Sequence, residues 1–573
     1  MPTTKPTLQV SPEDETSSGS DRDSQQGKQN AGNKDATGLS PPGPLDLATR
    51  ETVRMEAALG DAILRFLRIR KTPKSDDIWD SENVEEYRRL YIHPQWENAS
   101  AFDPGFRWTF REENQVRRKV DWKIMLWVCI MFAALNIDRG NISNAVSDNM
   151  LDDLGLTQSD YNIGQTIARL GFLVAELPSQ LISKRIGPDL WIPIQICIFS
   201  AISALQFFLN GAASFYATRY LIRGTLVDER SSWLRWLALA VPDRVRLVCN
   251  LLSQVSLMLT PTSRGAFTCR PMTIFQLGRN GFLTRHVVAI GLASFFLMPQ
   301  SPARTKSKLF PKGYFTEREE KIIVNAVIRD DPQKAGMHNR QGLTVGQIWK
   351  CAKDYTMWPL YMLGLLFGLP KYPVGQYLTL SFRGLGFNTV GGSITMLLIT
   401  AFSELVRNRG FVSMAQDAWL LPCFIALITL PDPIGAWAYF AIATVLLSAP
   451  YTHPIQVAWT SRNAGSVQNR TVSAALYNMA VQVSGMIGAN THKFVYIIYQ
   501  PSDAPRYFKA NKGLLVICFW MCFIQYPGTY FFYRWRNRSK AKVWDAMTPE
   551  EQHHYRTTTT DEGNKRLDFR YAT

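Results

Sequence analysis

From residue 121 to residue 535 the chain is built of long apolar runs parted by short polar loops, whereas residues 1–120 are mostly polar. A helix that crosses a bilayer needs about 20 apolar residues, because the hydrocarbon core is about 30 Å thick. Runs of that length fall at 124–143, 161–183, 190–210, 355–378, 410–431, 434–458, 471–491 and 513–533. Shorter apolar runs sit at 286–299 and 393–404. The stretch 212–223 begins like another helix and stops, and 233–259 is apolar in patches cut by Asp243, Arg244 and Arg246. Counting these incomplete segments brings the total near twelve.

Charge gives the runs an orientation. Arg117, Arg118, Lys119 and Lys123 precede the first run. A long loop at 301–353 carries Arg304, Lys306, Lys308, Lys312, Arg318 and Lys321, and Arg534, Arg536, Arg538, Lys540 and Lys542 follow the last run. Membrane proteins keep such basic loops in the cytoplasm. Placing all three regions there requires an even number of spans on each side of the loop, and six plus six satisfies it. The pattern predicts an all-α polytopic membrane protein of two six-helix halves. Its parts are a largely disordered head (1–118), a first half (119–300), a central loop (301–353), a second half (354–535) and a tail (536–573), with head, loop and tail cytoplasmic.

Composition adds mainly exclusions. Mean hydropathy is only −0.10 because the polar head dilutes the apolar body. The net charge of +16, from 63 basic and 47 acidic residues, gathers in loops, and no nucleic-acid-binding motif accompanies it. The 8 cysteines lie mostly inside apolar runs, without a CxxC pair or a Cys/His cluster, so neither a disulfide framework nor a metal site is expected. Residues 1–50 are rich in Ser, Gly, Asp, Gln, Asn and Pro, a composition that cannot bury enough surface to offset chain entropy. Residues 51–70 place Met55, Leu59, Ile63, Leu64 and Leu67 on one side of a helix, suited to the membrane surface or to packing on the protein. The N-terminus has no apolar signal sequence, so the first span is expected to serve for targeting. The sequence holds no P-loop GxxxxGK[ST], ABC-type nucleotide signature, GxSxG or HExxH. Neither an enzyme nor a cofactor is expected.

Several motifs sit in register with the spans. Asn136-Ile137-Asp138-Arg139-Gly140-Asn141-Ile142-Ser143 ends the first, and Ala175-Glu176-Leu177-Pro178-Ser179-Gln180 lies in the second. Ser183-Lys184-Arg185-Ile186-Gly187-Pro188 follows the second span. Later come Gln376-Tyr377-Leu378, Trp459-Thr460-Ser461-Arg462-Asn463, and Arg470-Thr471-Val472-Ser473-Ala474-Ala475-Leu476-Tyr477-Asn478. The tail carries Asp561-Glu562-Gly563-Asn564-Lys565-Arg566-Leu567-Asp568. Over residues 110–223 and 286–570 the set resembles the fungal allantoate-permease group of anion:cation symporters, within the major facilitator superfamily. The resemblance implies the major facilitator fold. It also implies proton-coupled symport of a small organic anion or vitamin, of the allantoate, pantothenate, nicotinate, biotin or sulfate class, by a monomer in the plasma membrane. A transporter-shaped nutrient sensor and an inactive product of a faulty gene model are the alternative readings.

An ionised side chain inside a bilayer is costly and is usually functional or paired. By resemblance Arg139 contacts the anion, where a guanidinium fork fits two oxygens at once, with Asp138 as its neutralising neighbour or a proton-coupling group. Glu176, deep in the second span, is the candidate carrier of the coupling proton, with Arg169 as partner or second anion contact. Arg219 matches the Arg that opens the family's fourth helix, although the Glu that should follow is absent. Lys184, Arg185 and Gly187 match the loop that latches one half by charge pairing, without the family's Asp at its usual offset. In the second half Gln376, Tyr377, Trp459, Asn463 and Asn478 are cavity-lining candidates that could equally bridge or anchor helices. Lys371 lies in Gly368-Leu369-Pro370-Lys371-Tyr372-Pro373, a break in the seventh span that suits an anion site.

Three places depart from the family pattern. Residues 224–285 carry many Arg and no Lys, without helical periodicity, where the fourth to sixth helices are expected. The eighth span is short, with Gly391-Gly392 in it, and 491–499 reads as an insert. The abrupt change suggests retained introns or a shifted frame, with divergence as the rival explanation.

Overall fold

The computed structural model describes residues 79, 83–128, 130–131, 154–225, 287–301, 303–306, 311–330, 332–338, 340–371, 399, 402, 409–430, 436–489 and 508–573. The amphipathic stretch 51–70, nearly all of 224–285 and the insert 491–499 lie outside them. In chain order the helices are α1 (Val84–Tyr91), α2 (Phe110–Val120), α3 (Gln158–Ile186), α4 (Pro188–Leu205), α5 (Gly211–Thr225) and α6 (Val287–Leu297). Then follow α7 (Glu317–Asp330), α8 (Val345–Ala352), α9 (Trp358–Phe367), α10 (Arg409–Ser413), α11 (Ala415–Thr429) and α12 (Ala436–Leu447). The last are α13 (His453–Asn463), α14 (Val467–Ala489), α15 (Phe508–Trp520), α16 (Tyr526–Trp544) and α17 (Pro549–Thr558).

Local chemistry sets the ends of these helices. α3 opens on a capping box in which Thr157 Oγ1 accepts from the Asp160 amide at 3.2 Å and Asp160 Oδ2 accepts from the Thr157 amide at 2.9 Å. The Tyr216 hydroxyl donates to Asp160 Oδ1 at 2.7 Å, which ties α5 to the start of α3. Further along, Gly164 lies against the Phe215 ring and Gly171 against the Tyr220 carbonyl, with no room for a Cβ at either. α3 turns into α4 at Gly187, whose φ of +102° favours glycine. The end of α2 packs with α4, α5 and α6 through Val120, Ile124, Ile192, Ile196, Phe199, Ile222 and Val287.

The second half closes around Leu420, Phe424, Leu446, Leu514 and Cys518. α15 and α16 form one helix through a π-turn at Met521–Gln525. Where α3 meets α14, Gly485 leaves space that the Arg169 guanidinium fills. Arg409–Thr429 and Asn511–Trp544 are each long and apolar enough to cross a bilayer. Leu170, Val174, Ile198, Leu205, Phe519, Phe523 and Phe531 are exposed along the long helices, as expected of surfaces that meet lipid.

At the basic end of the bundle a folded cap replaces the disorder expected for part of the head. Trp79, Tyr87, Tyr91, Trp96 and Phe102 bury against Val324 and Ile328 of α7, so this part of the head and the central loop share one core. Arg318 pairs with Glu112 at 2.9 Å, and Lys119 with Glu319 at 2.7 Å, fixing α7 to α2. The tail joins the same cap. The Tyr87 hydroxyl lies 2.9 Å from His553 Nδ1, His553 Nε2 lies 3.0 Å from Glu86, and Arg566 donates to the Tyr91 hydroxyl at 3.0 Å.

Candidate functional site

Two broken helices face each other in the second half. α9 ends at Phe367, and the chain turns through Gly368 to Lys371, whose amide donates to the Gly368 carbonyl at 3.2 Å. α12 ends at Leu447, and the chain resumes a helix only at His453, after Pro450 and before Pro454. A proline has no amide hydrogen and hinders the helix before it, so both interruptions follow from the sequence. The interruptions meet where the Lys371 ammonium donates to the Ala449 carbonyl at 3.0 Å and sits 5.5 Å from the centre of the Tyr451 ring.

Aromatic groups wall this point. Tyr451 stacks on His453 with ring centres 5.6 Å apart, Phe367 lies 5.6 Å from Tyr451, and His453 lies 5.6 Å from Tyr477. The Ser484 hydroxyl of α14 accepts from the Gly368 amide at 3.1 Å, which holds the end of α9 in place. A buried polar row continues from here. The Tyr477 hydroxyl donates to Gln456 Oε1, and Gln456 Nε2 donates to the Tyr526 hydroxyl at 2.6 Å. Tyr526 follows the π-turn, a feature often found at functional sites.

At the end of the row Asp417 is 0% exposed. Among the described residues its carboxylate makes no full hydrogen bond, and the Tyr526 hydroxyl and the Lys371 ammonium act on it electrostatically. Neighbouring Gln416 donates to the Phe367 carbonyl at 3.2 Å, and the Thr452 hydroxyl donates to the Ser413 carbonyl at 3.0 Å. The ninth span, which comprises α10 and α11, is thereby pinned to the end of α9 in the seventh span and to the break between α12 and α13 in the tenth. The arrangement offers one ammonium, an aromatic wall and a buried carboxyl, which suits a small anion together with a proton.

The other sequence candidates scatter. Arg139, Asp138, Gln376 and Tyr377 lie outside the described residues. Asn478 is half-buried, one residue beyond Tyr477 on α14. Trp459 and Asn463 are fully buried, but they hold the tail rather than a cavity. Trp459 Nε1 donates to the Ala572 carbonyl at 2.7 Å, Asn463 Nδ2 to the same carbonyl at 3.1 Å, and the Ala572 amide to Asn463 Oδ1 at 2.7 Å.

In the first half Glu176 is 0% exposed and Arg219 is buried beside the Phe215 ring at 5.2 Å. Gly171 meets Tyr220 and Gly224 meets Ala175, so Arg219 lies before the first of these contacts and Glu176 just past the second. The expected latch loop gains a carboxylate that the motif had missed. Asp189 pairs with Arg340 of the central loop at 3.8 Å beside Gly187, while Lys184 is buried against Met337 and Arg185 is exposed.

Asp417, Gln456, Tyr477, Tyr526 and His453 carry the site without having been singled out. One signal was available: Asp417 is the single charged residue between 410 and 429.

No family model matches the chain. It is 36% identical over 517 residues to the uncharacterized transporter YIL166C of Saccharomyces cerevisiae, a match that covers 86% of this chain and 93% of that one. The solved structure of the major facilitator superfamily proton:xylose symporter XylE aligns over 72% of this chain and 95% of its own, with a TM-score of 0.50 at 15% identity. The chain belongs to the family of this yeast transporter and has the major facilitator fold. It is thus an integral membrane transporter and not an enzyme. This transporter is also 28% identical over 359 residues to an Agrobacterium vitis protein named for tartrate transport, covering 58% of this chain and 76% of the relative.

Proposed function

We propose that this transporter is a proton-coupled symporter of a small organic anion, bound at the facing breaks of the seventh and tenth spans. The observation that carries the reading is the Lys371 ammonium, held between the two broken helices by the Ala449 carbonyl and the Tyr451 ring. A cation fixed at a helix break inside a bundle is a site for a negative group, and broken helices recur at transporter binding sites. The likeness to a protein named for tartrate transport agrees with a carboxylate substrate. Among the described residues Glu176 and Asp417 are the carboxylates wholly buried in the spans, and either can hold the coupling proton. Arg139, neutralised by its neighbour Asp138, supplies a second contact to the anion from the first half without changing the net charge of the site. The substrate belongs to the allantoate, pantothenate, nicotinate, biotin or sulfate class. The chain works as a monomer in the plasma membrane, with its cap in the cytoplasm.

The test is radiolabelled uptake by yeast expressing the chain, in acid and in neutral medium, over a panel of these anions and tartrate. Uptake of one compound, stronger in acid and lost in Lys371→Met, is the expected result. Equal uptake in both media would sink proton coupling. No uptake of any anion, despite protein at the cell surface, would sink the anion symporter.

A further inference from the structure

We propose that Asp417 is the proton-binding residue of the cycle, and that its protonation frees the Lys371 ammonium to receive the anion. The inference rests on the symporter reading above and deepens it. The relevant groups converge from five spans. Asp417 comes from the ninth span, beside Gln416, which donates at 3.2 Å to the carbonyl of Phe367, four residues before Lys371 at the end of the seventh; Tyr526 comes from the twelfth, and Gln456 of the tenth links it to Tyr477 of the eleventh, whose ring lies against His453. Among the described residues Cys518 and Cys522 of the twelfth span also interact with the carboxyl, and Cys423 interacts with Cys518. Thiols and phenols are uncharged in their neutral forms, so Lys371 is the cation among the groups named as acting on Asp417.

Net charge makes the coupling. An uncompensated charge inside the bundle costs several kcal/mol. With Asp417 ionised and Lys371 charged, the empty site is neutral. With Asp417 protonated and one monoanion on Lys371, the loaded site is neutral again. Proton alone leaves the site at plus one, and anion alone leaves it at minus one. Only the two neutral states cross between the membrane faces at low cost, so one proton moves with each monoanion. The proton adds to a carboxylate oxygen of Asp417 on loading and leaves to water after the anion departs, and Lys371 stays an ammonium throughout. Tyr526 accepts from Gln456, which leaves its own hydrogen to turn toward the carboxylate when Asp417 is ionised.

The experiment is pH-difference infrared spectroscopy of the purified full chain in lipid, joined to transport in the same vesicles. The protonated-carboxyl band is expected to vanish in Asp417→Asn and to survive in Glu176→Gln and His453→Gln. Asp417→Asn is expected to keep anion counterflow while losing acid-driven accumulation, and Asp417→Glu to restore accumulation. An unchanged band in Asp417→Asn, or acid-driven accumulation equal to the parent, would overturn the proposal. Should Asp417→Asn fold poorly, the parent protein decides alone: monoanion uptake is expected to generate no current, and a current would overturn the one-to-one balance. If the parent accumulates no anion under a pH gradient, the symporter reading falls, and the infrared band still judges Asp417.

Discussion

Two lysines, Lys371 half-buried in the second half and Lys540 buried in the tail, show opposite uses of the same side chain. Lys540, at the basic end of α16, donates to the Asn564 carbonyl at 2.5 Å and the Arg566 carbonyl at 2.6 Å, and lies within 5.4 Å of the Phe569 and Tyr571 ring centres. Lys371 meets one carbonyl and one ring among the described residues. An ammonium has three hydrogens to donate. Lys540 spends its donors on the returning tail, which makes it a staple. Among the described residues Lys371 keeps donor capacity beside a helix end, as the proposed anion site requires. Burial of a lysine therefore does not by itself mark a site, and the partners decide.

Breaking each lysine separates the two roles. Lys371→Met is expected to lower anion uptake about a hundredfold, the effect of losing a charged contact of about 3 kcal/mol, while the melting temperature holds. Lys540→Met is expected to do the reverse. Stability falls by about 2 kcal/mol as two carbonyls lose their partner, seen as earlier melting and protease cleavage of the tail, and the affinity for the anion stays within about twofold.

The seam between halves gives a smaller effect. A methyl group on Gly485 would collide with the Arg169 guanidinium, so Gly485→Ala is expected to slow transport about tenfold at normal expression. Arg169→Ala in the same chain should recover part of the loss. A double variant as slow as the single one would remove this contact from the account.

The cap pairs are weakest and depend on pH. Burial alone would push the Glu112 carboxyl up, but the Thr109 amide and the Arg318 guanidinium outweigh it and hold the group below its ordinary value of 4.5. Glu319 behaves likewise, with burial opposed by Lys119 and the Thr316 amide. Carboxyls held low in the fold stabilise it at pH values above 4.5, and that stability is lost as pH falls through the folded values. Both pairs are partly exposed, so each contributes less than about 1 kcal/mol. Melting curves of Glu112→Gln/Glu319→Gln should lie slightly below the parent near neutrality and converge with it in acid. A constant gap across that range would contradict the assignment.

The same contrast explains what was legible in the chain. Spans, loops and the break at Lys371 are local properties, written in apolar length and in Pro370 and Pro373. Gly187 was singled out only by its match to the family's loop, and its role as a positive-φ turn between two helices came from the fold. Trp459 and Asn463 read as cavity groups because a polar side chain on an apolar helix needs a partner, and sequence cannot name it. Here the partner is the main chain of Ala572, more than a hundred residues away, where no side chain leaves a signature. Asp417 was overlooked because its meaning lies in Lys371 and Tyr526, which only tertiary packing brings near. The folded part of the head had a usable sign in Trp79, Tyr87, Tyr91, Trp96 and Phe102, since such a density of large rings seldom stays solvated.

The central claim is that the helix break at Lys371 receives an anion. Its most direct test is ligand-dependent melting of the purified transporter against the anion panel, with Lys371→Met and Lys540→Met alongside. The account predicts that one anion raises the melting temperature of the parent and of Lys540→Met, and leaves Lys371→Met unmoved. Equal stabilisation of Lys371→Met by that anion would place the site elsewhere.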